Sequence, residues 1–177
     1  VPNASVTSAK GFRAGGVYAG LKTPGPNKLD LGLLVSDTPC VAAATFSRNT
    51  IVSPSVVVSR EAVKAGRSIR AIVANSGCAN ACVGQQGLTD AKEVVSLAAR
   101  AVNVQKDEVL ICSTGVIGKE LPMGVIREGM PKVRLSPDGG HEFARAIMTT
   151  DTHPKEYAVS IKAGGKTVTI GGCCKGA

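Results

Sequence analysis

The chain has 177 residues, 44% of them hydrophobic and 19% charged, with a formal net charge of +8. This composition excludes a disordered chain, and the length suits a single domain over residues 1–177. No apolar stretch approaches the roughly 18 residues that a membrane-spanning helix needs, so we expect no membrane segment. Basic residues are dispersed and aromatic residues make up only 3%. The pattern typical of a nucleic-acid-binding surface is therefore missing.

The first half of the sequence predicts four short strands, because continuous apolar runs are typical of strands buried on both faces. These runs occupy residues 31–35, 41–46, 55–59 and 69–74. A turn is predicted between the first two runs, at residues 36–39, and Pro54 precedes the third. A loop rich in Gly and Asn is predicted after the fourth, at residues 75–87.

The second half predicts helices that alternate with strands. The strongest helix covers residues 90–102, where apolar residues recur at helical spacing and Thr89 is the predicted N-cap. The other predicted elements are a strand at 109–112, helices at 122–129 and 141–148, and a hairpin of strands 157–161 and 166–170. This alternation predicts an α/β fold with a mixed sheet.

Three loops carry residue types that suit chemistry. The segment NSGCANA (75–81) follows a buried strand, and its asparagines allow tight hydrogen bonding. The segment STGVIG (113–118) ends the next strand; a hydroxyl and an N–H there would stabilise an oxyanion, bind an anion, or only form a turn. The segment GGCCKG (171–176) sets Lys175 among small residues, which indicates a positioned charge paired with an anion or a carboxylate.

The six cysteines and two histidines are not spaced as a metal site. Cys173 and Cys174 are adjacent, and Cys78 and Cys82 have no histidine nearby. We therefore expect small buried thiols in a reducing compartment, and no metal.

Five segments, in this order along nearly the whole chain, resemble one known family, the ornithine acetyltransferases (glutamate N-acetyltransferases) of arginine biosynthesis. They are VTSAKGF (6–12), NSG with ANA in 75–81, STGVIG (113–118), TTDT (149–152) and GG with KG in 171–176. Each segment alone is weak, and their common order carries the resemblance.

The resemblance implies an αββα-type sandwich in which this chain is the α chain and a β chain completes the fold. Such enzymes cut themselves between an Ala and a Thr soon after the KG motif, so the nucleophilic N-terminal Thr is expected beyond Ala177. They transfer acetyl from N2-acetylornithine to glutamate by a ping-pong mechanism without a cofactor; acetyl-CoA is a further candidate donor. An (αβ)2 or larger assembly is implied, in the cytoplasm or in the organelle matrix of a eukaryote.

Carried over residue by residue, the resemblance assigns Thr114 and Gly115 to the oxyanion hole, and Thr149 and Lys175 to substrate binding. Both substrates carry carboxylates, which a lysine can anchor, and acetyl transfer creates an oxyanion that needs fixed donors. Two alternatives stay open. One is a self-cleaving aminopeptidase of related fold with an N-terminal Ser, which the TTDT and KG motifs disfavour. The other is a basic nucleic-acid-binding module, which steeply salt-dependent binding to a duplex would support.

Overall fold

Four strands form one mixed sheet in the computed structural model, which describes residues 3–25 and 28–176. In spatial order they are β1 (Phe12–Val17), β2 (Leu31–Cys40), β3 (Ile69–Cys78) and β4 (Val109–Val116). The first three pair antiparallel, whereas β3 and β4 pair parallel. The predicted α/β class with a mixed sheet is confirmed.

Within the described residues, four α-helices and a hairpin surround this sheet. They are α1 (Pro54–Lys64), α2 (Gly84–Val102), α3 (Met123–Gly129), α4 (Gly140–Ala146), and the strands β5 (Lys155–Ala163) and β6 (Lys166–Cys174). None of the helices in this part of the chain is long and apolar enough to cross a membrane.

One face of the sheet packs against α2 and α3, with α1 at its border. Leu33, Val73 and Ile111 project from the strands to this side, where they meet Val94 of α2 and Ile126 of α3. Each of these five side chains is at most 2% exposed. The two-residue period of the strands and the helical period of α2 thus place apolar residues in one main core.

The opposite face of the sheet is covered by α4 and by the end of β6. Leu34 and Ala74 project to this side and pack against Phe143 of α4, with Cys173 of β6 alongside. A cavity of about 390 Å³ lies between this face and β6. This second core is therefore smaller and less completely filled than the first.

The strand predicted at residues 55–59 is wrong, because these residues belong to α1. Pro54 suits the first turn of a helix, and Ser55 and Ser59 are both buried, one helical turn apart. Ser59 Oγ accepts a hydrogen bond from the Ile111 N–H at 2.8 Å and donates to the Ile111 carbonyl at 2.7 Å. The helix thus satisfies backbone groups at the edge of β4, a tertiary contact that overrides the β-propensity of the intervening valines.

The strand predicted at 41–46 and the turn predicted at 36–39 are also wrong. β2 runs on to Cys40 with a register shift after Val35, and Pro39 within this stretch has no N–H to donate to the ladder. Residues 41–46 pair with no strand in the described part of the chain, and Val41 is fully exposed. An apolar run forms a strand only where a partner strand is placed beside it.

The loop predicted at 75–87 is shorter in the structure. β3 continues to Cys78 and α2 begins at Gly84, so Thr89 lies inside the helix, where its Oγ1 donates to the Gln85 carbonyl instead of capping. β4 similarly runs beyond residue 112, to Val116. The helices predicted at 122–129 and 141–148 and the closing hairpin are confirmed to within a few residues.

Candidate active site

The carboxyl ends of β3 and β4 lie side by side, with Ser76 opposite Thr114 and Gly77 opposite Gly115. Gly115 has a φ of +133°, a conformation that favours glycine. A Cβ at this position would lie 2.4 Å from the Gly77 carbonyl carbon and 2.6 Å from the Cys78 nitrogen. The two strands therefore approach so closely that only glycine fits, and this contact holds the backbone of Gly115 in place.

A buried polar network holds this strand end against the helices. The Asn80 amide, which is fully buried, donates from Nδ2 to the Gly87 carbonyl at 2.9 Å and to Ser55 Oγ at 3.3 Å. Ser55 Oγ lies 2.8 Å from Ser113 Oγ, in the residue just before Thr114. Asn80 of the NSGCANA segment is therefore hydrogen-bonded to α1 and α2, and Ser55 of α1 connects this network to the end of β4.

Asp151 connects the TTDT motif to the KG motif. Its side chain, 1% exposed, accepts hydrogen bonds from Lys155 Nζ at 2.7 Å, the Thr149 N–H at 3.0 Å and the Gly176 N–H at 2.7 Å. These donors, Lys155 foremost, hold the pKa of Asp151 well below its usual value. Thr149 and Lys175 therefore lie on two backbone segments that one carboxylate joins.

Two cavities open beside the strand ends. The larger, of about 840 Å³, is lined by Gly115 and Thr149 among others, and the smaller, of about 390 Å³, by Thr114 and Lys175. The four predicted site residues thus lie in one region, with Gly115 and Thr149 at one cavity and Thr114 and Lys175 at the other. Their catalytic and binding roles stay predictions.

The smaller cavity is mainly apolar, with Leu34, Ile72, Phe143 and Ile147 in its lining. Lys175, at this cavity, is exposed, and the described residues supply it with no hydrogen bond or ion pair. The partner predicted for this lysine is therefore not provided by residues 3–25 and 28–176. Its ammonium is available to an anion from outside this part of the chain.

The larger cavity is basic, and Asp30 holds the turn that forms part of its wall. The fully buried carboxylate of Asp30 accepts hydrogen bonds from the N–H groups of residues 19–22, at distances between 2.6 and 3.1 Å. Lys22, at the end of this turn, lines the cavity. Burial lowers the pKa of Lys22, an effect that the nearby Asp30 charge opposes.

Asp30 and Asp151 both shape the site, and neither was predicted from the sequence as a site residue. Asp30 follows a Gly- and Pro-rich stretch and directly precedes a buried strand, and Asp151 lies inside a recognised motif. An acid in such a place can bind several backbone N–H groups of a turn. That signal was present in the sequence, although the donors themselves were not predictable.

Comparisons with known proteins identify the family. The model of the ArgJ family matches residues 13–177. The chain belongs to the ArgJ family. The arginine biosynthesis bifunctional protein ArgJ of Dehalococcoides mccartyi is 49% identical over 177 residues, which are 100% of this chain and 44% of that protein. The glutamate N-acetyltransferase of Methanocaldococcus jannaschii is 44% identical over 180 residues, 100% of this chain and 43% of that protein. The chain thus spans less than half the length of these curated relatives.

Two solved structures of ArgJ-family proteins share the fold. The crystal structure of the arginine biosynthesis bifunctional protein ArgJ of Bacillus halodurans has a TM-score of 0.94 at 38% identity, covering 100% of this chain and 92% of that chain. The ornithine acetyltransferase of Mycobacterium tuberculosis, complexed with ornithine, has a TM-score of 0.91 at 38% identity, with 100% and 94% covered. The resemblance drawn from the five sequence segments is confirmed.

The cysteines of this ArgJ-family chain are not uniformly buried. Cys78 is buried, and its Sγ donates to the Lys119 carbonyl at 3.0 Å, but Cys82, Cys112 and Cys174 are exposed. The expectation of buried thiols is therefore wrong for these three. Among the described residues, no three His, Cys, Asp or Glu side chains are grouped so that they could hold a metal ion.

Proposed function

We propose that this chain is the α chain of a two-chain acetyltransferase that transfers acetyl from N2-acetylornithine to glutamate in arginine biosynthesis. The observation that carries the proposal is the assembly of Thr114, Gly115, Thr149 and Lys175 around one strand end, beside a basic cavity. The names of the relatives, one of them a glutamate N-acetyltransferase, support the reaction. The ornithine complex of the Mycobacterium tuberculosis relative supports the substrate class.

The two-chain architecture is supported by the lengths of the relatives. The chain covers only 43–44% of two curated relatives but 92–94% of the solved chains. Solved chains close in length to this one are expected if the longer precursors are cut. In this proposal, residues 1–177 form one domain, the α chain, and a β chain from the same precursor completes the αββα sandwich. The αβ units then associate as (αβ)2 or a larger assembly.

In the proposed mechanism, the N-terminal Thr of the β chain attacks the acetyl carbonyl through its Oγ, and its own amino group takes the hydroxyl proton. The Thr114 hydroxyl and the Gly115 N–H donate hydrogen bonds to the resulting oxyanion. Collapse of this species breaks the C–N bond, and ornithine leaves as the amine with that proton. The amino group of glutamate then attacks the acetyl ester by the reverse steps, which regenerates the Thr hydroxyl.

Thr149 and Lys175 hold the substrates in this mechanism. The exposed ammonium of Lys175 would bind a carboxylate that both substrates carry. The reaction needs no cofactor, and acetyl-CoA is a second acetyl donor in this proposal, which the word bifunctional in the relatives' names supports. We place the enzyme in the cytoplasm, or in an organelle matrix in a eukaryote.

Expression of the complete precursor, followed by intact-mass measurement and N-terminal sequencing, tests the proposal. Two chains are expected, the second beginning with Thr, together with acetyl transfer from N2-acetylornithine to glutamate. A single uncut polypeptide that is folded and active would contradict it. A second chain beginning with Ser and cleavage of peptide substrates would favour the aminopeptidase alternative, and steeply salt-dependent duplex binding the nucleic-acid alternative.

A further inference from the structure

Arg145 lines the larger cavity, and its Nε is buried without a hydrogen-bond partner among the described residues. The same part of the chain provides its guanidinium with no ion pair. Leaving a buried donor of a charged group unpaired is costly, so such groups normally have a partner. Nε itself is out of a ligand's reach, but Arg145 lines the cavity, and an anion is the ligand that suits a guanidinium there.

The other charged residues of the larger cavity differ from Arg145. Lys22 and Lys28 each direct the ammonium to a backbone carbonyl, at 2.7 Å and 3.4 Å, and Lys119 is exposed. The acid in the lining, Asp151, already pairs with a lysine outside the lining. The cavity therefore has an excess of positive charge, to which Arg145 contributes a planar group suited to two parallel hydrogen bonds.

Helix α4 holds Arg145 in a defined position. Its neighbours Ala144 and Ala146 are at most 2% exposed, and the Ala146 carbonyl accepts a hydrogen bond from Ser76 Oγ, whose residue is fully buried on β3. Ser76 is also the residue opposite Thr114 in the sheet. One strand position thus contacts both the backbone beside Arg145 and the strand that carries the proposed oxyanion donors.

We propose that Arg145 binds the side-chain carboxylate of the acidic acceptor, and thereby distinguishes the acceptor from the donor. This inference rests on the proposed function, in which one site receives in turn a donor with an ammonium side chain and an acceptor with a carboxylate side chain. A guanidinium binds a carboxylate through two hydrogen bonds and repels an ammonium. Lys175 is left to bind the α-carboxylate that both substrates share, so the two cations have separate roles.

Steady-state kinetics of the complete two-chain enzyme test this assignment. Arg145→Met keeps much of the aliphatic side chain and removes the charge. The KM for glutamate is expected to rise on the order of ten- to hundredfold, the effect of losing a hydrogen-bonded ion pair. The KM for N2-acetylornithine should stay unchanged or fall, because a repulsive charge is removed. Arg145→Lys, which keeps the charge without the planar fork, should give a smaller rise for glutamate.

Arg100→Met is the matched control, because Arg100 also lies in the last turn of a helix but is exposed on α2. It should change neither KM. If Arg145→Met fails to fold or to be cut, Arg145→Lys carries the test and must show the same split between substrates. Equal changes in both KM values, or none, would overturn the role of Arg145 while acetyl transfer persists. A wild-type enzyme that transfers no acetyl would overturn the proposed function itself, and this inference with it.

Discussion

The two faces of the four-stranded sheet differ in how completely this chain covers them. Toward α2, Leu33 and Val73 are at most 1% exposed in a continuous core. On the other face, Leu34 packs against α4, but a cavity of about 390 Å³ remains and Cys112 is exposed. Close packing specifies one fold, whereas a partly filled face leaves room for a ligand or another chain.

The predicted chemistry lies on the less filled side and at its border. Thr114 and Lys175 line the cavity on this face, and Gly115 and Thr149 line the larger one beside it. Substitutions in the filled core should therefore mainly lower stability, whereas substitutions of the predicted site residues should mainly lower activity. Four sets of substitutions test this separation.

Leu33→Ala should cause the largest effect, a loss of stability. Leu33 is 1% exposed in the main core, so truncation should lower the free energy of unfolding by about 3–5 kcal/mol. Leu34→Ala, at the next residue of β2, enlarges a cavity that already exists and should cost about 2 kcal/mol. Urea unfolding of the complete enzyme, followed by circular dichroism, measures both. Equal losses of unfolding free energy in the two variants would contradict the difference in packing between the two faces.

Thr114→Ala should reduce activity and leave stability nearly unchanged. Loss of the hydroxyl donor should lower kcat by about 10²–10³-fold with a modest change in KM, because the donor acts mainly in the transition state. Thr114→Ser should recover much of the rate. The variants are assayed as separately expressed halves, so that self-cleavage is not required. Wild-type turnover by Thr114→Ala would mean that this strand end is only structural.

Lys175→Ala should raise the KM for both N2-acetylornithine and glutamate, because the proposed contact is with the α-carboxylate that each of them carries. Losing a charge-assisted contact with a carboxylate costs about 1.5–3 kcal/mol, roughly ten- to hundredfold in KM. Lys166→Ala is the control, since Lys166 is also exposed and begins β6, the strand after which Lys175 comes. Precursor cleavage is checked in parallel. An unchanged KM would identify Lys175 as an ordinary solvated lysine.

Asp151→Asn should give an effect on stability that disappears at low pH. The folded-state pKa of Asp151 lies below its usual 3.8, so its ionised form contributes stability above that value, and the contribution is lost as the pH falls toward the folded-state pKa. The difference in unfolding free energy between wild type and Asp151→Asn should therefore be constant from neutral pH to about pH 5 and shrink below pH 4. Unfolding curves across this range measure it. A difference that grows toward low pH would contradict the assignment.

Local sequence determined those elements whose signal lies within one segment. The apolar spacing of residues 90–102 predicted most of α2, and the two glycines between β5 and β6, both at positive φ, predicted the hairpin. Residues 55–59, by contrast, form a helix where the local sequence predicts a strand. Their valines favour a strand, but Ser55 and Ser59 bind β4, more than fifty residues along the chain.

The sequence by itself also determined the family, because five short segments in a fixed order can be recognised without any knowledge of their contacts. It did not determine how the site is arranged. Asp151 binds the N–H of Gly176, 25 residues away. Whether Arg145 Nε has a hydrogen-bond partner depends on which groups the fold places around it. Burial and hydrogen-bond partners arise only when distant segments pack together. The tertiary structure therefore decided which of the predicted residues share a cavity, and which charges are left to bind a ligand.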